Sequence, residues 1–148
     1  MEERYEIYKI REFGPERFKD MHGMHGFGDA SRGQHSWTVD EEHTREIIKR
    51  GLELGINFFD TAIGYQNGTS EQYLGRALSD FAERDEVVVA TKFLPRTNEE
   101  IEKGITGQQH ISRMLDKSLE NLGMDYVDLY IYIICGTTGH RYTISWKV

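Results

Sequence analysis

Two charged side chains stand at positions where an apolar run would normally continue. Lys92 follows the run VVVAT, and Asp60 closes INFF. A strand covered on both faces loses stability for each charge it buries without a partner, so both residues need a reason to be there. Each falls at the C-terminal end of a run that reads as a parallel strand, the end at which α/β folds gather reactive groups. A carboxylate beside an ammonium favours the ionised form of both. Tyr65 lies a few residues after Asp60, in the loop GYQNGTSEQYLG. A phenol within reach of an ammonium becomes a usable general acid, because the positive charge favours the phenolate left behind. Spacing alone leaves blander readings open. Asp60 and Lys92 can be a structural ion pair closing strand ends, and Tyr65 an ordinary loop aromatic beside an Asn-Gly turn.

The segments around these residues alternate in type. Thr38 and Glu41 have the spacing of a capping box, with Asp40 as a rival N-cap. Ile47, Ile48, Gly51, Leu52 and Leu54 then form a helical face that Gly55 ends. Ile56–Ala62 reads as a short buried strand running into a loop. Thr69 and Gln72 suggest a second capping box, opening a helix through Tyr73, Leu74, Ala77, Leu78 and Phe81. Glu86–Phe93 is continuously apolar, as parallel strands covered on both faces are. Arg96–Gly104 reads as a charged, solvated loop. A helical stripe follows at Ile111, Met114, Leu115, Ser118, Leu119 and Leu122, closed by Gly123, and Val127–Tyr132 is another buried strand. Such alternation predicts βαβ units with a parallel sheet, either doubly wound or closed as a barrel.

Composition narrows the function classes. The chain has 148 residues, 18 basic against 25 acidic, and a formal net charge of -7. That balance opposes nucleic-acid or membrane-surface binding, which clustered Lys and Arg drive. No apolar run approaches the roughly 20 residues that span a bilayer, and the charged start MEERYEIYKIREF does not read as a signal peptide. One cysteine, Cys135, excludes an internal disulfide and fits a reducing, cytoplasmic setting.

GINFFDTAIGYQNGTSEQYLGRAL resembles the first signature of the aldo-keto reductases, VVVATKF their lysine strand, and SLENLGMDYVDLYIY their helix leading into the fourth strand. The three lie in the family's order over Gly26–Tyr132. The resemblance implies an α/β fold, part of a (β/α)8 TIM barrel holding roughly strands two to four and helices one to three, with irregular termini. It implies an oxidoreductase that uses NADP(H) to pass hydride to the carbonyl of a small aldehyde or ketone. Tyr65 would then be the catalytic proton donor. Lys92 would assist it, and Asp60 would pair with Lys92 and lie at the cofactor. The family's fourth catalytic residue is a histidine directly after the fourth strand; Ile133 occupies that slot.

Both ends depart from the family. Suitable codons for Tyr5–His25, read one base later, give MKYTKLGNSGLNVSRICMGCM, which resembles a family start and joins GFGD in frame. The tail Ile134–Val148 can be reread as HMWDYRTPIYDIMEG, which begins with the missing histidine. The expectation is therefore an out-of-frame start over 1–25, the first half of a barrel over 26–132, and an out-of-frame tail over 133–148. Such a chain would be inactive alone. It would also expose sheet edges, so a non-catalytic, self-associating half-barrel is the alternative. His22, His25, His35 and His43 lack a recognised ligand spacing, so no metal site is expected. His110 reads as a solvated or capping residue. Trp37 reads as lining a substrate mouth or packing over the first helix.

Overall fold

The computed structural model describes residues 20–134 and 141–146. Its centre is β3 (Val88–Phe93), buried at every position. Beside it lie β2 (Phe58–Asp60) and β4 (Leu129–Ile134), with β1 (Met21–Gly23) outside β2. These four strands are parallel, in the order β1-β2-β3-β4. Three helices connect them: α1 (Glu41–Glu53), α2 (Thr69–Phe81) and α4 (Gly107–Leu122). Alternate strand residues Phe59, Val89 and Tyr130 pack with Ile48, Leu74, Leu78, Leu115 and Leu122 in one hydrophobic core. Each fully buried side chain of this size stabilises by about 2 kcal/mol. The neighbouring strand positions, Asp60 and Lys92 among them, face the other way. The result is an arc of parallel sheet with helices on one face, a partial α/β fold.

Backbone hydrogen bonding supplies what the sequence pattern hides. A parallel strand at Met21–Gly23 corrects the expectation of an irregular start, since MHG shows no period. Its ladder to β2 and the bond from Met24 N to Asp60 O (2.8 Å) hold it, and Met24 is fully buried. The tail likewise contains β5 (Arg141–Trp146), antiparallel to β4. Few residues separate the two strands, too few for the crossover that parallel pairing needs. The rest of the expected out-of-frame segments, 1–19, 135–140 and 147–148, lies outside the described residues.

Helix starts follow local hydrogen-bond competition. Asp40 caps α1, its carboxylate accepting from His43 N at 3.0 Å. Thr38 does not, because its hydroxyl donates to Gly28 O at 2.9 Å. Nor does Thr69 cap α2: it donates to Gln66 O and accepts from Asp29 N, both at 2.8 Å. The charged stretch after β3 is not all loop. It contains α3 (Asn98–Glu102), opened by a capping box of Thr97 and Glu100, and a second box of Thr106 and Gln109 opens α4. Where α2 crosses α4, a Cβ at Gly75 would sit 2.0 Å from Leu122 O, so only glycine lets these helices approach. At the N-terminal end of the strands, Arg84 donates to Asp128 Oδ2 (2.8 Å) and Tyr126 O (3.1 Å), tying the loops before β3 and β4 together. Among the described residues no helix is long and apolar enough to cross a membrane.

Candidate active site

At the opposite end, the register of the sheet brings the charged residues together. Asp60 is the last residue of β2 and pairs with Ala90; Lys92 lies two residues farther along β3 on the same face. Lys92 Nζ sits 2.7 Å from Asp60 Oδ1 and donates to Thr61 O at 2.8 Å. The lysine is 6% exposed, so its charge is met by a carboxylate and a carbonyl rather than by water. Its Nζ also approaches Tyr65 Oη at 3.3 Å. Asp60 Oδ1 takes this ion pair and no further hydrogen-bond donor among the described residues. The sequence expectation paired Asp60 with Lys92 and set Lys92 beside Tyr65; the structure has these three side chains in contact.

The turn after β2 is built to hold Tyr65 there. Tyr65 N donates to Ala62 O at 3.0 Å, and Ile63 N to Lys92 O at 3.0 Å. Gln66 and Asn67 adopt left-handed backbone conformations with φ of 47° and 53°. That turns the Gln66 amide back under the loop after β1. There Gln66 Nε2 donates to His35 O (2.7 Å) and Asp29 O (3.0 Å), while Oε1 accepts from His35 N (3.0 Å). A Cβ at Gly33 would meet Gln66 Oε1 at 2.1 Å, so this clasp requires glycine. Sequence reasoning missed Gln66, because glutamine gives no signal for a left-handed turn.

The histidines divide by environment. His22 is packed against Phe27, ring centroids 5.3 Å apart, and its burial lowers its pKa below the usual value. His43 lies at the start of α1, its Nδ1 2.9 Å from Asp40 Oδ1. Among the described residues no three His, Cys, Asp or Glu side chains come close enough to share a metal ion. His110 is neither solvated nor a cap, correcting that expectation. It is 4% exposed, with Nε2 2.8 Å from Leu94 O and Nδ1 3.2 Å from Glu100. A turn of polar residues brings α3 over it, which the helical stripe of α4 alone could not reveal. Trp37, largely exposed, packs on His25 and His35, and His25 in turn meets the Tyr65 ring.

A half-open cleft of about 170 Å3 adjoins Tyr65, with Ile133 in its wall. Ile133, in the slot where the resemblance implies a histidine, falls within β4 and carries an aliphatic side chain to the site. For a dinucleotide, the described residues fit one end. Asp60 presents a carboxylate able to accept from an amide or hydroxyl. Diphosphate would need further cations, and no Lys or Arg among the described residues lines this cleft.

The family model described as Aldo/keto reductase family matches residues 25–133. A putative voltage-gated potassium channel subunit beta of Schizosaccharomyces pombe is 41% identical over 98 residues, 61% of this chain and 27% of that protein. The aldo-keto reductase YhdN of Bacillus subtilis is 35% identical over 107 residues, 71% of this chain and 32% of its own. A solved aldo-keto reductase from Klebsiella pneumoniae in complex with NADPH aligns at a TM-score of 0.54 and 27% identity, covering 65% of this chain and 30% of that one. The chain therefore spans less than a third of the length of these relatives. With its motifs in family order on a parallel α/β arc and the family match running through most of its length, the chain belongs to the aldo/keto reductase family.

Proposed function

We propose that Asp60, Tyr65 and Lys92 are the proton-donating part of an NADPH-dependent reductase of aldehydes and ketones, and that the 148-residue chain does not turn over alone. One observation carries the first part: a phenol 3.3 Å from a buried ammonium that is itself fixed by Asp60 at 2.7 Å, at the C-terminal end of a parallel sheet. When bound, NADPH supplies the hydride that reduces the carbonyl carbon. Tyr65 Oη then gives its proton to the carbonyl oxygen, and Lys92 stabilises the phenolate until solvent returns a proton. Asp60 holds Lys92 in place through their ion pair, and is the residue that would meet the nicotinamide end of the cofactor. The NADPH in the Klebsiella pneumoniae relative supports this choice of cofactor.

Inactivity alone is supported by Ile133 in the histidine slot and by the lack of cationic residues for the diphosphate in the described cleft. A self-associating half-barrel is the second reading, favoured by Met21 on the outer strand, which is 62% exposed. A cytoplasmic setting is supported by the single cysteine. The test is a hybrid barrel in which residues 25–132 replace the matching segment of YhdN. The hybrid should oxidise NADPH when an aldehyde is added, whereas the purified 148-residue chain should not. Turnover by the chain alone would overturn the second part of the proposal, and a folded but inert hybrid the first.

A further inference from the structure

Tyr65 is followed by two residues in a backbone conformation that side chains with a Cβ rarely adopt. Gln66 stands at φ 47°, ψ 45° and Asn67 at φ 53°, ψ 42°, both in the left-handed region. Asparagine tolerates that region; glutamine has no such preference. Left to itself, a glutamine here relaxes to right-handed or extended backbone. The peptide that would rotate joins Gln66 to Tyr65, so the relaxation would carry the phenol with it. The site has little slack for such a shift. Lys92 Nζ donates to Tyr65 Oη at 3.3 Å, already beyond the usual span of roughly 2.7–3.2 Å.

What offsets the strain lies outside the turn. Gln66 is 2% exposed, and its side-chain amide is committed to the loop after β1. Nε2 donates to His35 O, to Asp29 O and, at 3.2 Å, to Thr38 Oγ1, while Oε1 accepts from His35 N. Asn67 Nδ2 donates to Arg32 O in the same loop. The loop rests on residue 66 without clearance. A Cβ at Gly33 would lie 2.5 Å from Gln66 Cα, and one at Gly28 2.7 Å from Gln66 Cβ. Relaxing the turn would strip a buried amide of these partners, so turn and loop hold or fail together.

We infer that Gln66 is a positioning residue for the proton donor: by clasping the loop at residues 29–38 it holds the left-handed turn that sets Tyr65 Oη against Lys92. The inference rests on the reading of Tyr65 as that donor. It also gives the loop a role at a distance, since a change at Gly33 reaches the phenol through Gln66.

The placement can be tested without turnover, by NMR cross-peaks in the full 148-residue chain. The Tyr65 ring should show contacts to the His25 ring, centroids 4.9 Å apart, and to the Lys92 side chain, whose Nζ lies 5.0 Å from the Tyr65 ring centre. Contact between the Phe93 and Tyr132 rings reports an intact core in every variant. Gln66→Ala and Gly33→Ala should lose the Tyr65 contacts and keep the core contact. Gln66→Gly and Gln66→Asn also remove the clasp, but both residues suit the left-handed region and should keep most of the Tyr65 contacts. That split is the signature, because a tie serving stability alone would fail equally in all three Gln66 variants. Unmoved contacts in Gln66→Ala, or their loss in both Gln66→Gly and Gln66→Asn, would overturn the inference; the second outcome decides even if Gln66→Ala does not fold. In the hybrid barrel Gln66→Ala should lower kcat about ten- to hundredfold with KM within about twofold, and Gln66→Gly should recover most of that loss. If the Tyr65 contacts vanish while kcat holds, the role of Tyr65 as proton donor falls, while its placement by Gln66 stands.

Discussion

Thr91 and Lys92 are neighbours on β3, point to opposite faces of the sheet, and meet two buried ionisable groups that are treated in opposite ways. On the open face Lys92 meets a full counter-charge, Asp60, and a carbonyl, and its remaining direction opens toward Tyr65 and the cleft. On the helix face Thr91 donates at 2.6 Å to Glu71, which has no exposure at all. Asn121 Nδ2 donates to the other Glu71 oxygen at 2.8 Å. Lys117, on the exposed side of α4, exerts only a weak cationic pull on this carboxyl; burial dominates and raises the Glu71 pKa. Tyr130, buried close by with its hydroxyl unpartnered among the described residues, is pushed up by the same burial and by the Glu71 charge. A buried charge held by a counter-charge and left one open direction is poised for chemistry. A buried carboxyl ringed by neutral donors is a packing device.

That contrast can be broken at either pole. The largest effect is expected at Lys92: in the hybrid barrel Lys92→Met should lower aldehyde-dependent NADPH oxidation by about 10²–10³-fold, the loss typical of removing one preorganised electrostatic group. Substituting Glu71 should leave the rate per folded molecule unchanged and strike stability instead. Glu71→Ala strands the donors of Thr91 and Asn121 and should cost about 3 kcal/mol in urea unfolding. Gln66→Ala should open the loop around His35 by about 1 kcal/mol, read as faster hydrogen exchange at the His35 amide with little change in global stability.

Glu71→Gln is the smallest and most informative change. With a folded-state pKa above its ordinary 4.5, Glu71 favours folding while protonated. That contribution is present below 4.5 and is lost as pH rises through the raised value. The glutamine variant should therefore be at least as stable as the parent at neutral pH, within about 1 kcal/mol, and should lack this decline in unfolding titrations. A parent whose stability rises with pH through Glu71 would mean that this carboxyl has a counter-charge at hand, as Asp60 has Lys92.

How much of this was legible varies with what holds each part. The runs INFF and VVVAT announced buried strands because covering both faces demands continuous apolar sequence, and Asp60 and Lys92 stood out against them. Met21–Gly23 was invisible because its place depends on backbone ladders to β2 rather than on side-chain period. Asn98–Glu102 reads as charged loop because it buries no residue, although the Thr97–Glu100 capping box is present in its spacing. Nothing in the sequence marks Glu71 as buried; the approach of α2 to α4, permitted by Gly75, is a tertiary fact. His25 and His35 lack a ligand spacing and carry no other signal in the sequence, because the packing of the loop after β1 against Tyr65 is a tertiary fact.

The most direct measurement is the rate of aldehyde-dependent NADPH oxidation by the hybrid barrel with and without Tyr65→Phe. A positioned general acid contributes about 10²–10⁴-fold, and the account predicts a loss in that range with the fold and NADPH affinity intact. A Tyr65→Phe hybrid that turns over at the parent rate would contradict the role assigned to Tyr65, and with it the reading of Lys92 and Asp60.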